Sequence, residues 1–129
     1  MPTENIRLSQ EARDQLVTLK RRTKIKNWNI LCRWGFCASL AEPSMPPDRK
    51  IPSDSSVEMT WRVFGGKNSE LYWALLKQRC ERDGLKLDDE TLDHQFRLHL
   101  HRGIGYLRGN QKLKDIKDLS RLTVEIATR

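Results

Sequence analysis

Cysteine is scarce in this chain, with Cys32, Cys37 and Cys80 the only three among 129 residues. An odd number of thiols makes no even disulfide framework, so they read as reduced side chains of a cytoplasmic protein. The opening Met1-Pro2-Thr3-Glu4 has no apolar core of the kind a secretory signal needs. Long apolar runs are missing too. The longest weakly charged stretch, Trp28 to Ala41, is broken by Arg33 and is too short to span a bilayer, so no membrane partner is expected.

Chemical motifs are equally thin. There is no Cys-x2-Cys pair and no His-Glu-x-x-His. On one helix, Cys32 and Cys37 would point roughly 140° apart and could not share a metal. The run Gly103-Ile104-Gly105-Tyr106-Leu107-Arg108-Gly109 lacks the Lys-Ser/Thr ending of a phosphate loop, and its glycines are better suited to allowing close helix packing or ending the helix. Asp88, Asp89, Glu90 and Asp93 are numerous enough to suggest a nuclease metal cluster, yet acids at a helix start are ordinary capping. No nucleophile–base pair stands out. Core cysteines and surface histidines are the expectation, with no catalytic residue, no metal and no cofactor.

What the chain does have is positive charge, and it is segregated. The formal net charge is +7, which favours a polyanionic partner. From Gln15 to Ala41 there is no acid, while Lys20, Arg21, Arg22, Lys24, Lys26 and Arg33 all fall there. From His94 to Lys114 acid is again absent, against Arg97, Arg102, Arg108, Lys112, Lys114 and three histidines. Residues 81 to 93 hold six acids instead. On a helix, His94, Arg97, His101, Gly105 and Arg108 fall within about 80° of one another. Such a stripe suits a phosphate chain; an ordinary solvated face is the alternative. The expected DNA contacts are Lys20, Arg21, Arg22, Lys24, Lys26, Arg33, Arg97, His101, Arg102, Arg108, Lys112 and Lys114.

The patterning predicts a mostly α, compact helical domain covering residues 1–129. Ile6 and Leu8 alternate with Arg7 as a short strand, and Ser9 can cap a helix whose apolar edge is Ala12, Leu16 and Leu19. A second helix, about Asn27 to Ala41, is apolar on nearly every side, so it is either a central core helix or partly covered by another copy. Strand, helix and helix in that order form a ribbon–helix–helix-like segment. Residues 42–56 hold four of the five prolines and form a loop, the best place for an internal boundary. Val57, Met59, Trp61 and Val63 alternate with polar residues as a further short strand or extended arm. Helices follow over Ser69 to about Asp83, Asp88 or Asp89 to about Arg108, and Leu113 to Ile126.

Three stretches carry a family resemblance: Ile6-Arg7-Leu8-Ser9 with the helix after it, Asn27-Trp28-Asn29-Ile30-Leu31-Cys32-Arg33, and His99-Leu100-His101-Arg102-Gly103-Ile104-Gly105-Tyr106-Leu107. Over essentially its whole length the chain resembles the DndE family of bacterial DNA sulfur modification (phosphorothioation) proteins. The resemblance implies a small subunit working beside a cysteine desulfurase, an ATP-using sulfur-transfer subunit and an ATPase. Together these replace a non-bridging backbone oxygen of DNA with sulfur. It supplies no catalytic residue, so the expectation is a non-enzymatic, homo-oligomeric (dimer or tetramer) subunit that grips the backbone of duplex DNA, nicked or distorted duplex included. The rivals are a ribbon–helix–helix transcriptional regulator with Arg7 near the groove, and a basic scaffold for the other subunits.

Overall fold

Ser9 sets the first helix. Its hydroxyl accepts from the Ala12 N–H at 3.1 Å and so satisfies one of the free donors of the opening turn. The computed structural model describes residues 5–109; the helical pattern at Leu113 to Ile126, with Lys112 and Lys114, lies outside the described residues. Strand β1 (Asn5–Arg7) leads into α1 (Gln10–Thr23) and α2 (Trp28–Ala41), and after a long loop come β2 (Glu58–Thr60), α3 (Trp61–Gly65), α4 (Ser69–Arg82) and α5 (Asp89–Gly109). Lys24 closes α1 in the left-handed region, at φ 65°. The expected edge of α1 is buried: Ala12, Leu16 and Leu19 are all inside.

The strand–helix–helix order is present, and β1 finds its partner within the chain. It pairs antiparallel with β2 in the register Asn5–Thr60, Ile6–Met59 and Arg7–Glu58. Ile6 and Met59 face the core, while Arg7 and Glu58 form a 2.9 Å ion pair on the outer face. The extended reading of Val57 to Val63 holds only as far as Thr60. There the hydroxyl of Thr60 accepts from the Val63 N–H at 3.0 Å and starts α3, which buries Trp61 and leaves Val63 exposed. A side-chain cap overrides the alternation.

Helix α2 is the centre of the fold, with α5 packed along it. The two cross at Gly35 and Gly103, so closely that a Cβ added to Gly103 would lie 1.6 Å from the Gly35 carbonyl oxygen. Beyond the crossing, Phe36, Phe64 and Phe96 meet with ring centroids 5.1 to 5.6 Å apart, and Trp61 stacks on Phe64. Each buried ring contributes roughly 1.5–3 kcal/mol of burial energy. The other side of α2 is less covered. Ile30, Arg33, Trp34 and Cys37 line a shallow apolar groove of about 340 Å³ with Tyr72 of α4.

The proline-rich loop is tied down by cations. Arg79 of α4 pairs with Asp83 at 2.9 Å and donates to the carbonyls of Leu40, Pro43 and Ser44. Arg102 of α5 donates to Ser39 and Ser44, and Arg97 to the carbonyls of Arg7, Ile51 and Pro52. His94 reaches Asp48 at 2.6 Å, and Ser55 bonds the Leu8 carbonyl. A loop without its own ladder satisfies its carbonyls this way. Among the described residues no helix is long and apolar enough to cross a membrane.

Candidate nucleic-acid interface

The two basic tracts of the sequence meet different fates. The first gathers at one end of the helices. Lys20, Arg21 and Arg22 occupy the last turn of α1, where cations oppose the partial negative charge of the helix end, and Lys24 and Lys26 follow in the turn to α2. Arg22 donates to the Arg108 carbonyl at 3.0 Å, which brings the C-terminal ends of α1 and α5 together. Lys20 lies 3.8 Å above the Trp28 ring. Arg21, Lys24 and Lys26 are exposed, and among the described residues none of the five has a carboxylate partner.

The second tract is largely turned inward. Arg97 and Arg102 hold the loop, as above, and Arg33 of the first tract donates to the Phe64 and Val63 carbonyls. His101 corrects the expectation of a surface histidine. It is 5% exposed, its Nε2 accepts from the Ser9 N–H and its Nδ1 donates to the Arg97 carbonyl. Burial and the neighbouring arginines lower its pKa to about 4, so at neutral pH it is uncharged and offers no cation to a phosphate. His99 is fully buried, shares a 2.8 Å hydrogen bond with Ser39 Oγ, and burial lowers it likewise to about 4. The helical stripe exists as a geometric line, but the segment entering through Ser9 covers it at Arg97 and His101. Of the ten expected contacts among the described residues, Arg21, Lys24 and Lys26 have free exposed side chains, with Lys20, Arg22 and Arg108 beside them.

The thiols are not activated. Burial pushes Cys32 up to about 12 and Cys80 up to about 11, and raises Cys37 as well. Among the described residues no three His, Cys, Asp or Glu side chains converge as metal ligands.

Charge counting missed a groove. Helices α1 and α5 run parallel, since Ser9 meets His101 at one end and Arg22 meets Arg108 at the other. Between them lies a recess of about 240 Å³. Ala12 and Gly105 form its floor, Glu11 and Gln15 one wall, Arg102 and Tyr106 the other, and Arg49 of the loop stands at its head. The Arg102 guanidinium lies 5.5 Å from the centre of the Tyr106 ring. Arg49 lies between Asp48 and Lys50 in a proline-rich loop outside both basic tracts, and Tyr106 lies inside the second tract but carries no charge, so counting cations flagged neither.

Comparison with known proteins agrees with this architecture. The family profile described as DNA sulphur modification protein DndE matches residues 5–115. No curated relative matches. A crystal structure of DndE from Escherichia coli B7A, involved in DNA phosphorothioation modification, is 24% identical with a TM-score of 0.70, covering 83% of this chain and 98% of that one. A crystal structure of a DndE mutant involved in DNA phosphorothioation is 21% identical with a TM-score of 0.64, covering 83% of this chain and all of the other. At such identity these two speak for the fold. The profile spans far more than half of the sequence, and the chain belongs to the DndE family of DNA sulphur modification proteins.

Proposed function

We propose that this protein is the non-catalytic DNA-holding subunit of a phosphorothioation system, gripping the phosphate backbone of duplex DNA beside the subunits that activate and insert sulfur. One observation carries the reading: Arg21, Lys24 and Lys26 project from one end of the fold with no carboxylate partner among the described residues. Sulfur insertion acts on the backbone, so holding phosphates serves it better than reading base edges does. Nicked or distorted duplex, with a backbone position exposed, is the preferred form. Self-association through the half-covered Ile30, Trp34 and Cys37 side of α2 would multiply the contacts; light scattering measures it.

Charge reversal tests the assignment. Arg21→Glu, Lys24→Glu and Lys26→Glu together touch no internal hydrogen bond, whereas changing Arg22 would disturb Arg108. The triple variant keeps its helical circular dichroism, loses retention of DNA at physiological salt and loses sulfur modification in a reconstituted system. Undiminished DNA binding would remove this surface from the reading. A ribbon–helix–helix regulator is less well supported, because β1 already pairs with β2 of its own chain; protection of a single operator sequence would favour it. Capture of an acidic modification subunit without DNA would favour the scaffold.

A further inference from the structure

The groove between α1 and α5 has features that the backbone-holding role does not use. Its floor is made of two small residues, and a Cβ on Gly105 would meet only Gln15 Nε2, at 3.8 Å. Tyr106 is 42% exposed, unusual for a large aromatic side chain facing a recess, and one of its flanks is held by the Arg102 guanidinium. The side chains of Arg49, Glu11 and Gln15 make no hydrogen bond or ion pair among the described residues, in contrast to Arg97 and Arg102. A guanidinium, an amide, a carboxylate and an aromatic face are therefore all available around one cavity.

These groups match the parts of a nucleotide. An exposed aromatic ring offers stacking to any base, and an unpaired arginine offers charge to its phosphate. Glu11 would repel an anion at that point, but it accepts from the amino group of an adenine, cytosine or guanine edge, and Gln15 can both donate and accept. The recess also lies in line with the basic end. Because α1 and α5 run parallel, Gln15 stands seven residues, about 10 Å, from Arg22 along the same helix. That is about three nucleotide steps along one strand. A strand held by Arg21, Lys24 and Lys26 can follow the helices up to the recess.

We propose that the α1–α5 groove receives one unstacked nucleotide of the bound strand, its base against Tyr106, its amino edge on Glu11 and Gln15, and its phosphate on Arg49. A base reaches the recess only by leaving its stack, so the groove takes a nucleotide most readily where pairing is interrupted, as at a bulge, a nick or a frayed end. This inference rests on the DNA-holding reading and adds to it a reason for distinguishing interrupted from intact duplex. Extruding a base costs less where it has no partner, which gives the pocket its selectivity.

The test uses the full chain and two fluorescent duplexes, one fully paired and one carrying a single extrahelical cytidine, titrated at physiological salt. The wild type binds the bulged duplex roughly tenfold more tightly, a margin within what base stacking on one aromatic supplies. Tyr106→Ala, Arg49→Ala and Gly105→Leu, the last filling the groove, bring the two affinities together and leave the paired duplex unaffected; Tyr106→Phe keeps the margin. Glu11→Gln makes an extrahelical thymidine as good as cytidine. Equal binding of both duplexes by the wild type, or a margin that survives the three variants, overturns the pocket and leaves the backbone-holding role standing. Retention of neither duplex overturns that role itself.

Discussion

At Gly103 a single methyl group has nowhere to go. The atom it would meet is a carbonyl of the facing helix, which cannot swing aside as a flexible side chain would. Gly103→Ala is therefore expected to cost on the order of 3 kcal/mol or more, despite the gain in helix propensity. Urea unfolding measures it, with Gly105→Ala as the control at a position where the Cβ meets only the flexible Gln15 amide, at an ordinary contact of 3.8 Å. The two buried histidines make a second prediction at this scale. Both have folded pKa values near 4 against the ordinary histidine value of 6.5, so between these values the unfolded chain binds more protons than the native one. Stability is then fully present above about pH 6.5 and falls away as pH drops toward 4, by roughly 3 kcal/mol for each group. Urea midpoints at pH 7 and pH 4.5 follow this directly. His101→Gln, which cannot titrate, should flatten part of the slope, and an unchanged slope would remove His101 from the account.

Among the elements, the loop over residues 42–56 depends most on a distant side chain. Arg79 is 4% exposed and engages Asp83, the Leu40 carbonyl in the last turn of α2, and the loop carbonyls of Pro43 and Ser44, the latter shared with Arg102. Arg79→Leu removes one partner of a buried ion pair and is expected to cost about 3–5 kcal/mol. The same variant should be cut faster between residues 42 and 50 in limited proteolysis; an unaltered cleavage rate would mean the loop is held by its other ties. The role of Arg79 is invisible in the sequence, where it is one cation in a charged stretch. The helices themselves were legible. Ser9 announces α1, Gly84 follows α4, and the periodicity of Leu92, Phe96 and Leu100 marks α5. Where reading by pattern failed, at Trp61 to Gly65 and at His99 and His101, the deciding partner was the Thr60 hydroxyl in the first case, and the Ser39 hydroxyl and the Ser9 N–H, each more than fifty residues away, in the others. Periodicity contains no information about such partners.

For the whole molecule, the count of cations overstates the surface that can meet DNA. The sequence offers five or six plausible phosphate contacts per binding unit, which would give a slope of log affinity against log salt near −5, at about 0.9 per phosphate. Folding changes the count. Arg33, Arg97 and Arg102 donate to carbonyls and His101 is neutral, so among the described residues of the two tracts Arg21, Lys24 and Lys26 are free, with Lys20, Arg22 and Arg108 partly engaged. Three free cations correspond to a slope of about −3 for a single copy. A slope of −5 or steeper then requires either further cations of the same chain or two copies on one duplex, and the second case predicts that the slope shallows when self-association is broken. Substituting Trp34 in the α2 groove with a charged residue should do so, because the groove leaves the apolar side chains of Ile30, Trp34 and Cys37 half-buried. Salt titrations of the wild type and Trp34→Glu, with mass by light scattering, separate the alternatives. A slope near zero in both would mean that phosphates are not what this surface holds.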